Sequence, residues 1–291
     1  MRLHVTHHTL YRYSLPARSS INELRLSPEH TDRQSPSETR FEINPTTKLS
    51  STRDLFGNLV HHFEVEEKHP ALSITSTSTV ETLPSFSPPE TLLHQPLQNP
   101  ADLQLDDRLR DFLTDSNCIQ RDPQTWREAL DLQANATPTW SALLEKLNNH
   151  IFQTCHYQEQ HLHTMRTATQ VQRERTGTCQ DFAHLLISYL RLLHIPARYT
   201  SGYLYDPGLD HNNQPQLIGS GTTHAWVEAF LPDFGWLGID PTNNCWVNDH
   251  YISLAFGRDY HDVVPIRGSF LGGGKNRDLE VSIQIHRLDQ S

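Results

Sequence analysis

Apolar and polar residues alternate in short runs over the first 82 residues of the chain. Residues 8–13, 59–65 and 73–80 each show the alternation or the β-branched composition that is typical of strands with one buried face. Turn-forming residues such as Gly57 and Asn58 separate these runs. The pattern predicts an antiparallel β domain over residues 1–82.

Prolines then interrupt the alternation between residues 83 and 102. Five of them fall in this short stretch: Pro84, Pro88, Pro89, Pro96 and Pro100. Proline lacks a backbone N–H group and breaks both strands and helix interiors. We therefore expect a proline-rich linker over residues 83–102 and a domain boundary there.

Helical periodicity replaces the alternation after this linker. Residues 105–113 carry apolar side chains on one helical face, and residues 140–151 carry a clearer stripe of the same kind. For the second helix we expect Thr137 as the N-cap and Pro138 in the first turn. Both stripes are interpreted as core-packing faces.

A third helix and a group of strands follow along the chain. Residues 179–193 are apolar on most sides, which predicts a buried helix, and strands are expected at residues 197–205, 224–231 and 236–240. This order of helices first and strands second predicts a separate domain over residues 103–291, which includes a C-terminal strand.

Composition and charge argue against several classes of protein, namely disordered, nucleic-acid-binding and membrane-spanning ones. The 291 residues are 36% hydrophobic and 20% charged, which suits a folded globular chain. The formal net charge is −10, whereas proteins that bind nucleic acid concentrate Lys and Arg. No run reaches the roughly 18 apolar residues of a membrane helix, and the N-terminus lacks a signal-peptide pattern. We expect a cytoplasmic protein that binds neither nucleic acid nor membrane.

The four cysteines lack paired spacing, so free thiols are expected, and Cys179 is the reactive candidate. A turn containing Gly177 leads into the buried helix at Cys179. Backbone N–H groups at a helix N-terminus favour the thiolate and can hold an oxyanion. The alternative for a single cysteine is a buried structural thiol. A base close to Cys179 would favour the reactive thiol over the structural one.

Two histidines are candidates for that base. His184 lies five residues after Cys179, which places it about 140° around the helix, so it is interpreted as a packed residue. His224 lies on a predicted strand, and Asp240 lies on the next one. A three-residue turn between these strands would put Asp240 diagonal to His224 on one face, whereas a two-residue turn would put it on the opposite face. The sequence leaves both turns open.

Four motifs in this order resemble a known family. They are Gly177 to His184, Ile195 to Leu204, His224 to Glu228 and Asp240 to Asn243. Together they resemble the bacterial transglutaminase-like cysteine protease family. The segments 8–13, 24–28 and 54–58 also resemble the N-terminal β domain of that family.

The resemblance implies an α+β fold with a papain-like, transglutaminase-like core, in which the cysteine helix packs on an antiparallel sheet. It also implies roles for three residues: Cys179 as nucleophile, His224 as base and Asp240 as the residue that orients the histidine. Three further residues are candidates for substrate binding: Trp226, Tyr157 and Gln180. The polar loop 206–223 either borders the cleft as a specificity lid or is an ordinary surface loop.

The resulting hypothesis is a thiol hydrolase that cleaves amide bonds in a peptide or protein substrate through a thioester at Cys179. One alternative is a protein-glutamine transglutaminase, in which an amine resolves the same thioester. Another is a non-catalytic interaction scaffold, against which the complete Cys, His and Asp set argues. No acidic calcium loop is evident, so neither a metal nor a cofactor is expected.

Overall fold

The computed structural model of the protein describes residues 1–83, 90–97, 106–158, 165–209, 216–274 and 277–288. These residues form one large and one smaller antiparallel sheet, with helices packed against the smaller one. The α+β fold class expected from the sequence is confirmed. The four cysteines are free thiols, as expected.

The larger sheet is built around one long strand, β1 (Arg2–Leu24). Its further N-terminal strands are β2 (Gln34–Pro36), β3 (Arg40–Asn44), β4 (Ser50–Arg53), β5 (Leu59–Val65) and β6 (His69–Thr82). Along β6 buried and partly exposed residues alternate, as expected for a strand with one buried face. The prediction of an N-terminal region made of half-buried strands is therefore confirmed.

Two C-terminal strands complete this sheet. They are β14 (Ile266–Gly272) and β15 (Arg277–Arg287), and both pair antiparallel with β1. The sequence-based division assigned the C-terminal strand to the range 103–291, that is, to the core. In the structure these residues belong to the sheet that the N-terminal strands form, because hydrogen bonds between strands distant in sequence are not encoded in local periodicity.

Part of the expected linker packs on the core. Within residues 83–102, residues 90–97 are described, and they contain the short helix α1 (Glu90–His94). Leu92 on this helix is fully buried, and the Leu97 N–H donates to the Pro138 carbonyl at 2.9 Å. Residues 84–89 and 98–102 of the expected linker lie outside the described residues.

The helical layer comprises α2 (Pro123–Ala134), α3 (Trp140–Thr154), α4 (Ala168–Glu174) and α5 (Cys179–Leu192). The expected N-cap of α3 was wrong: the Thr139 side chain, not Thr137, accepts the Ala142 N–H. Of the expected helix over residues 105–113, residues 107–113 form a 3₁₀ helix and Leu105 is not described. Among the described helices, none combines the length and apolarity needed to cross a membrane.

The smaller sheet carries residues of the last three of the four sequence motifs. Its strands are β9 (Ala197–Leu204), β10 (Thr223–Leu231), β11 (Gly235–Asp240), β12 (Cys245–Trp246) and β13 (Tyr251–Gly257). They lie in the order β12-β11-β10-β9-β13. Helix α5 contacts β10 and β9, so the cysteine helix lies on this sheet. A short parallel pair, β7 (His156–Tyr157) and β8 (Thr176–Gly177), precedes the helix.

The turn between β10 and β11 decides which face of the sheet Asp240 shares. Leu231 pairs with Gly235 and Val227 pairs with Ile239, which leaves three residues in the turn. In this register Trp226 stands opposite Asp240, so Asp240 and His224 are diagonal neighbours on one face. Of the two turns that the sequence left open, the structure has the three-residue turn.

Amide side chains of the larger sheet close the free edge of β13. Gln34 exchanges two hydrogen bonds of 2.8 Å with the backbone of Ser253. Asn58 exchanges two of 2.7 Å with the backbone of Phe256. Both amides are buried. They satisfy backbone groups that an edge strand would otherwise expose, and they hold the two sheets together.

Candidate active site

Cys179 is the first residue of α5 and lies almost completely buried. The Asp181 carboxylate fixes this helix start, because its Oδ2 accepts the Thr178 N–H at 2.9 Å and the Thr178 hydroxyl at 3.1 Å. Gly177 makes this packing possible, since a Cβ there would lie 2.6 Å from the Cβ of Asp181. Asp181 is therefore a structural cap. The first N–H groups of a helix lack intrahelical acceptors, so the Cys179 N–H has none within α5.

His224 and Asp240 form a buried pair across the two neighbouring strands. His224 Nε2 lies 2.7 Å from Asp240 Oδ2, and neither side chain has exposed surface. The diagonal register set by the three-residue turn brings them together. The structure thus joins the predicted base to the predicted orienting carboxylate.

The Asp240 carboxylate is saturated with donors. Its Oδ1 accepts the Thr242 N–H at 2.8 Å and the Asn243 N–H at 3.3 Å. Its Oδ2 accepts the Asn243 side-chain amide and the Tyr251 hydroxyl, both at 2.8 Å, in addition to His224. Hydrogen bonds to the charged form stabilise a buried carboxylate. Asp240 is consequently held as an anion.

This arrangement shifts the pKa values of His224 and Asp240 so that the charged form of each is favoured. Burial opposes the imidazolium form of His224, but the Asp240 charge and hydrogen bond outweigh it, and the pKa of His224 rises to about 10. Burial likewise opposes the charged form of Asp240, yet the contacts with His224, Asn243 and Tyr251 lower the pKa of its carboxyl. The geometry therefore holds an imidazolium–carboxylate pair at neutral pH.

The remaining ring nitrogen of His224 is available to Cys179. Nε2 is occupied by Asp240, whereas Nδ1 is buried and makes no hydrogen bond of ordinary geometry with the described residues. A side-chain interaction with Cys179 and the charge of Cys179 both raise the pKa of His224. A proton at Nδ1 can thus pass between the imidazole and the sulfur.

His184 has a different environment, as its position on α5 predicted. It is buried, its Nε2 accepts the Tyr260 N–H at 3.2 Å, and its ring packs against Tyr199 at a centroid distance of 5.2 Å. Burial lowers the pKa of His184 to about 4. The residue is neutral and belongs to the core.

The three predicted substrate-binding residues have different positions. Trp226 is fully buried and packs edge-on against Tyr251 at 5.2 Å, so it supports the site from behind and offers a substrate no exposed surface. Tyr157 is partly exposed on β7, pairs with Gly177 and contacts Phe182. Tyr157 therefore remains a candidate for substrate binding, whereas Trp226, the other aromatic candidate, is a packing residue with no exposed surface in this structure.

Gln180, the third candidate, is partly exposed at the second position of α5. It shares a side-chain hydrogen bond with Tyr260, whose pKa is raised by burial and by the Cys179 charge. Tyr260 was missed by the sequence reasoning. Asp259 accepts the His261 N–H and so begins a short 3₁₀ helix, and an Asp followed by polar residues after a strand was the available signal.

Tyr251 and Asn243 were also missed as partners of Asp240. Asn243 lies in the motif from Asp240 to Asn243, but the motif predicted no role for its side chain. Tyr251 begins β13, eleven residues after Asp240, and no local spacing relates the two. The Asn243 contact is local, within three residues of Asp240, whereas only the place of β13 in the sheet brings Tyr251 to the carboxylate.

One group among the described residues could hold a metal ion, namely Cys118, Asp259 and His261, whose ligand atoms lie within 4.8 Å of one another. Cys118 Sγ is 3.5 Å from His261 Nδ1, and the Asp259 carboxylate accepts the backbone N–H groups of both other residues. Burial raises the pKa of the Cys118 thiol to about 12. Hydrogen bonding alone explains the proximity of the three.

Comparisons with known proteins agree with this fold. The sequence model of the bacterial transglutaminase-like N-terminal region matches residues 3–81, and that of the transglutaminase-like superfamily matches residues 129–241. An uncharacterized protein of Mycobacterium tuberculosis is 33% identical over 298 residues, which cover 98% of this chain and 92% of the relative. The chain belongs to the transglutaminase-like superfamily. An uncharacterized Mycobacterium leprae protein is 32% identical, with 99% of each chain covered.

Two further relatives of this transglutaminase-like chain carry descriptions. The crystal structure of a Cytophaga hutchinsonii protein, described as a candidate cysteine protease, superposes with a TM-score of 0.78 at 20% identity over 100% of this chain and 92% of that one. This likeness shows the shared fold. A protein-glutamine gamma-glutamyltransferase of Pseudomonas aeruginosa is 38% identical over 68 residues, which are 23% of this chain and 10% of that protein.

Proposed function

We propose that the protein is a thiol hydrolase that cleaves amide bonds of a peptide or protein through a thioester at Cys179. The observation that carries this proposal is the buried His224–Asp240 pair at 2.7 Å, with Nδ1 of the same ring next to the thiol at the start of α5. A structural cysteine needs no such base. A nucleophile, a base and an orienting carboxylate are the parts that acyl transfer requires.

The reaction would begin with attack of the Cys179 sulfur on the amide carbonyl carbon. The Cys179 N–H would stabilise the oxyanion, and the proton on His224 Nδ1 would pass to the leaving amine as the C–N bond breaks. Water then attacks the thioester while Nδ1 accepts its proton. The acid leaves, the C–S bond breaks, and the thiolate–imidazolium pair is restored. Asp240 would hold the ring orientation throughout.

Acyl transfer to an amine is the second candidate function. The partial similarity to the Pseudomonas aeruginosa gamma-glutamyltransferase favours it. Both reactions share every step up to the thioester, so the same three residues would serve either one. Transfer requires the amine to outcompete water, which calls for a site that binds the amine and excludes solvent near the thioester.

Product partitioning tests these alternatives. The protein is incubated with a digest of unfolded proteins or with a blocked glutamine dipeptide, with and without a millimolar primary amine. Mass spectrometry then measures acid, new peptide termini and amide product. Hydrolysis predicts acid or new termini in both cases, whereas dominant amide product at millimolar amine would favour transferase activity. The Cys179→Ala variant is the control for each product.

The scaffold alternative has its own readout. A fast single adduct at Cys179 with a small alkylating reagent, with slow reaction at Cys118, Cys155 and Cys245, is expected of a catalytic thiol. Equal slow labelling at all four cysteines, together with no turnover, would favour an inert scaffold and contradict the proposal.

A further inference from the structure

The segment of residues 216–221, named here the covering loop, lies over the reactive edge of His224. A Cβ on Gly219 would be 2.2 Å from His224 Nδ1, so the backbone of Gly219 is in direct contact with the nitrogen that faces Cys179. Gly219 has φ +93° and Gly221 has φ +77°, a conformation that favours glycine. His224 and Cys179 are both almost completely buried in this arrangement. The covering loop therefore obstructs the approach of a bulky group along this ring edge.

The base of the covering loop is tied to Asp206. The Asp206 carboxylate accepts the N–H groups of Gln216 at 2.6 Å and Leu217 at 2.9 Å. Leu217 also packs against the buried cluster that contains Trp226 and Tyr251. The Ser220 hydroxyl also lies 3.5 Å from the Asp206 carboxylate, and none of these contacts involves Asp240.

The Asn243 side chain binds the middle of the loop at Ile218. Its Oδ1 accepts the Ile218 N–H at 3.0 Å, and its Nδ2 donates to the Ile218 carbonyl at 3.1 Å. The same Nδ2 donates to Asp240 Oδ2 at 2.8 Å. The amide thus binds Ile218 as a neighbouring strand would, and it uses its other N–H for the carboxylate that orients His224.

We propose that Asn243 is a positioning residue that holds the covering loop closed over His224 and couples loop opening to the Asp240 carboxylate. The inference rests on the proposed function, since a closed loop matters only if Cys179 and His224 react with a substrate. Lifting the loop breaks both bonds to Ile218 and frees the approach to Nδ1 and the sulfur. Of the two interpretations that the sequence left open for loop 206–223, the proposal favours the lid.

The experiment measures access to Cys179 independently of turnover. A small maleimide and a maleimide carrying a bulky polymer share one reactive group, so the ratio of their rate constants at Cys179 cancels changes in thiol reactivity. Peptide mapping assigns the adduct. Two hydrogen bonds are worth about tenfold in a closed–open equilibrium, so Asn243→Ala should raise the bulky-to-small ratio about tenfold.

Two further variants separate the loop from the carboxylate. Asp206→Ala frees the base of the loop without touching Asp240, and the ratio should rise there as well. Tyr251→Phe removes a different donor from Asp240 Oδ2 and leaves the loop bonds intact, so its ratio should match the wild-type protein. Circular dichroism and thermal melts establish that each variant folds.

Each outcome of the labelling experiment either supports or overturns the proposed role of Asn243. An unchanged ratio in folded Asn243→Ala overturns it, as does an equal rise in Tyr251→Phe, which would attribute access to the Asp240 network. Raised ratios in Asn243→Ala and Asp206→Ala alone support it. Because labelling needs no substrate, a raised ratio in a protein without turnover would contradict the proposed function and leave the loop inference intact.

Discussion

Replacing Asp240 by Asn tests the reasoning on the active site most directly. The five donors that surround the carboxylate come from His224, Thr242, Asn243 and Tyr251. An amide has one oxygen and one donor group, so Asn at position 240 must turn its NH₂ toward one set of these donors. If NH₂ faces the His224 side, the neutral ring accepts with Nε2 and carries its proton on Nδ1. That tautomer cannot take a proton from the thiol or from water.

The structure sets the magnitude of this effect. The rise in the pKa of His224 from 6.5 to about 10 corresponds to about 5 kcal/mol of preference for the charged ring. In Asp240→Asn the charge that opposes burial most strongly is lost and only Cys179 still raises the pKa of His224, so this pKa should fall. We expect kcat/KM to fall by about 10²–10⁴-fold. Unfolding free energy should fall by about 3–5 kcal/mol, with the fold retained.

The assay is the pH dependence of Cys179 alkylation together with kcat/KM on the best acyl donor. The wild-type profile should show an inflection near pH 10, where His224 loses its proton. In Asp240→Asn this inflection should move to lower pH. A variant with kcat/KM within about twofold of wild type and an unmoved inflection would refute the role given to Asp240.

Three other predictions concern the nucleophile, the His224–Asp240 ion pair and the contact between Gln34 and β13. Cys179→Ala should abolish turnover and leave the far-ultraviolet spectrum and Tm nearly unchanged, because it removes little volume at a helix start; residual wild-type turnover would sink the mechanism. Since the folded-state pKa of His224 is raised, its ion pair with Asp240 stabilises fully below pH 6.5 and is lost as pH rises through about 10. Calorimetry should therefore give a Tm that declines over this window in wild type and not in Asp240→Asn. Gln34→Ala breaks both bonds to Ser253 and should lower the free energy of unfolding in urea by about 2–3 kcal/mol; a loss below about 0.5 kcal/mol would mean that the β13 edge does not depend on it.

The chemistry-bearing residues were accessible from sequence because local features mark them. A glycine turn leading into an apolar run predicted that Cys179 begins a helix, and the strand alternation placed His224 with a defined face. The separation of about 140° around the helix axis predicted that His184 is not the base for Cys179, and the structure places His184 in the core. Each of these inferences depends on contacts within a few residues, where periodicity is informative.

Other features depended on backbone geometry or on contacts between residues far apart in the chain. The wrong N-cap of α3 came from choosing between two threonines two residues apart, which only backbone geometry distinguishes. Trp226 alternates correctly on its strand, but alternation does not tell which face is covered by β13 residues such as Tyr251. The pairing of the C-terminal strands with β1 joins opposite ends of the chain, which local sequence patterns do not encode.

The sequence by itself determined which residues can react and which elements carry them: a cysteine at a helix start, a histidine on one strand and an aspartate on the next. The tertiary structure decided the register of that hairpin, the donors around Asp240 and the loop over His224. The physical reason is the distance along the sequence between the residues that interact. Helix caps and strand alternation arise from neighbouring residues, whereas a carboxylate is held by every donor that the packed sheet and its loops bring within hydrogen-bond distance.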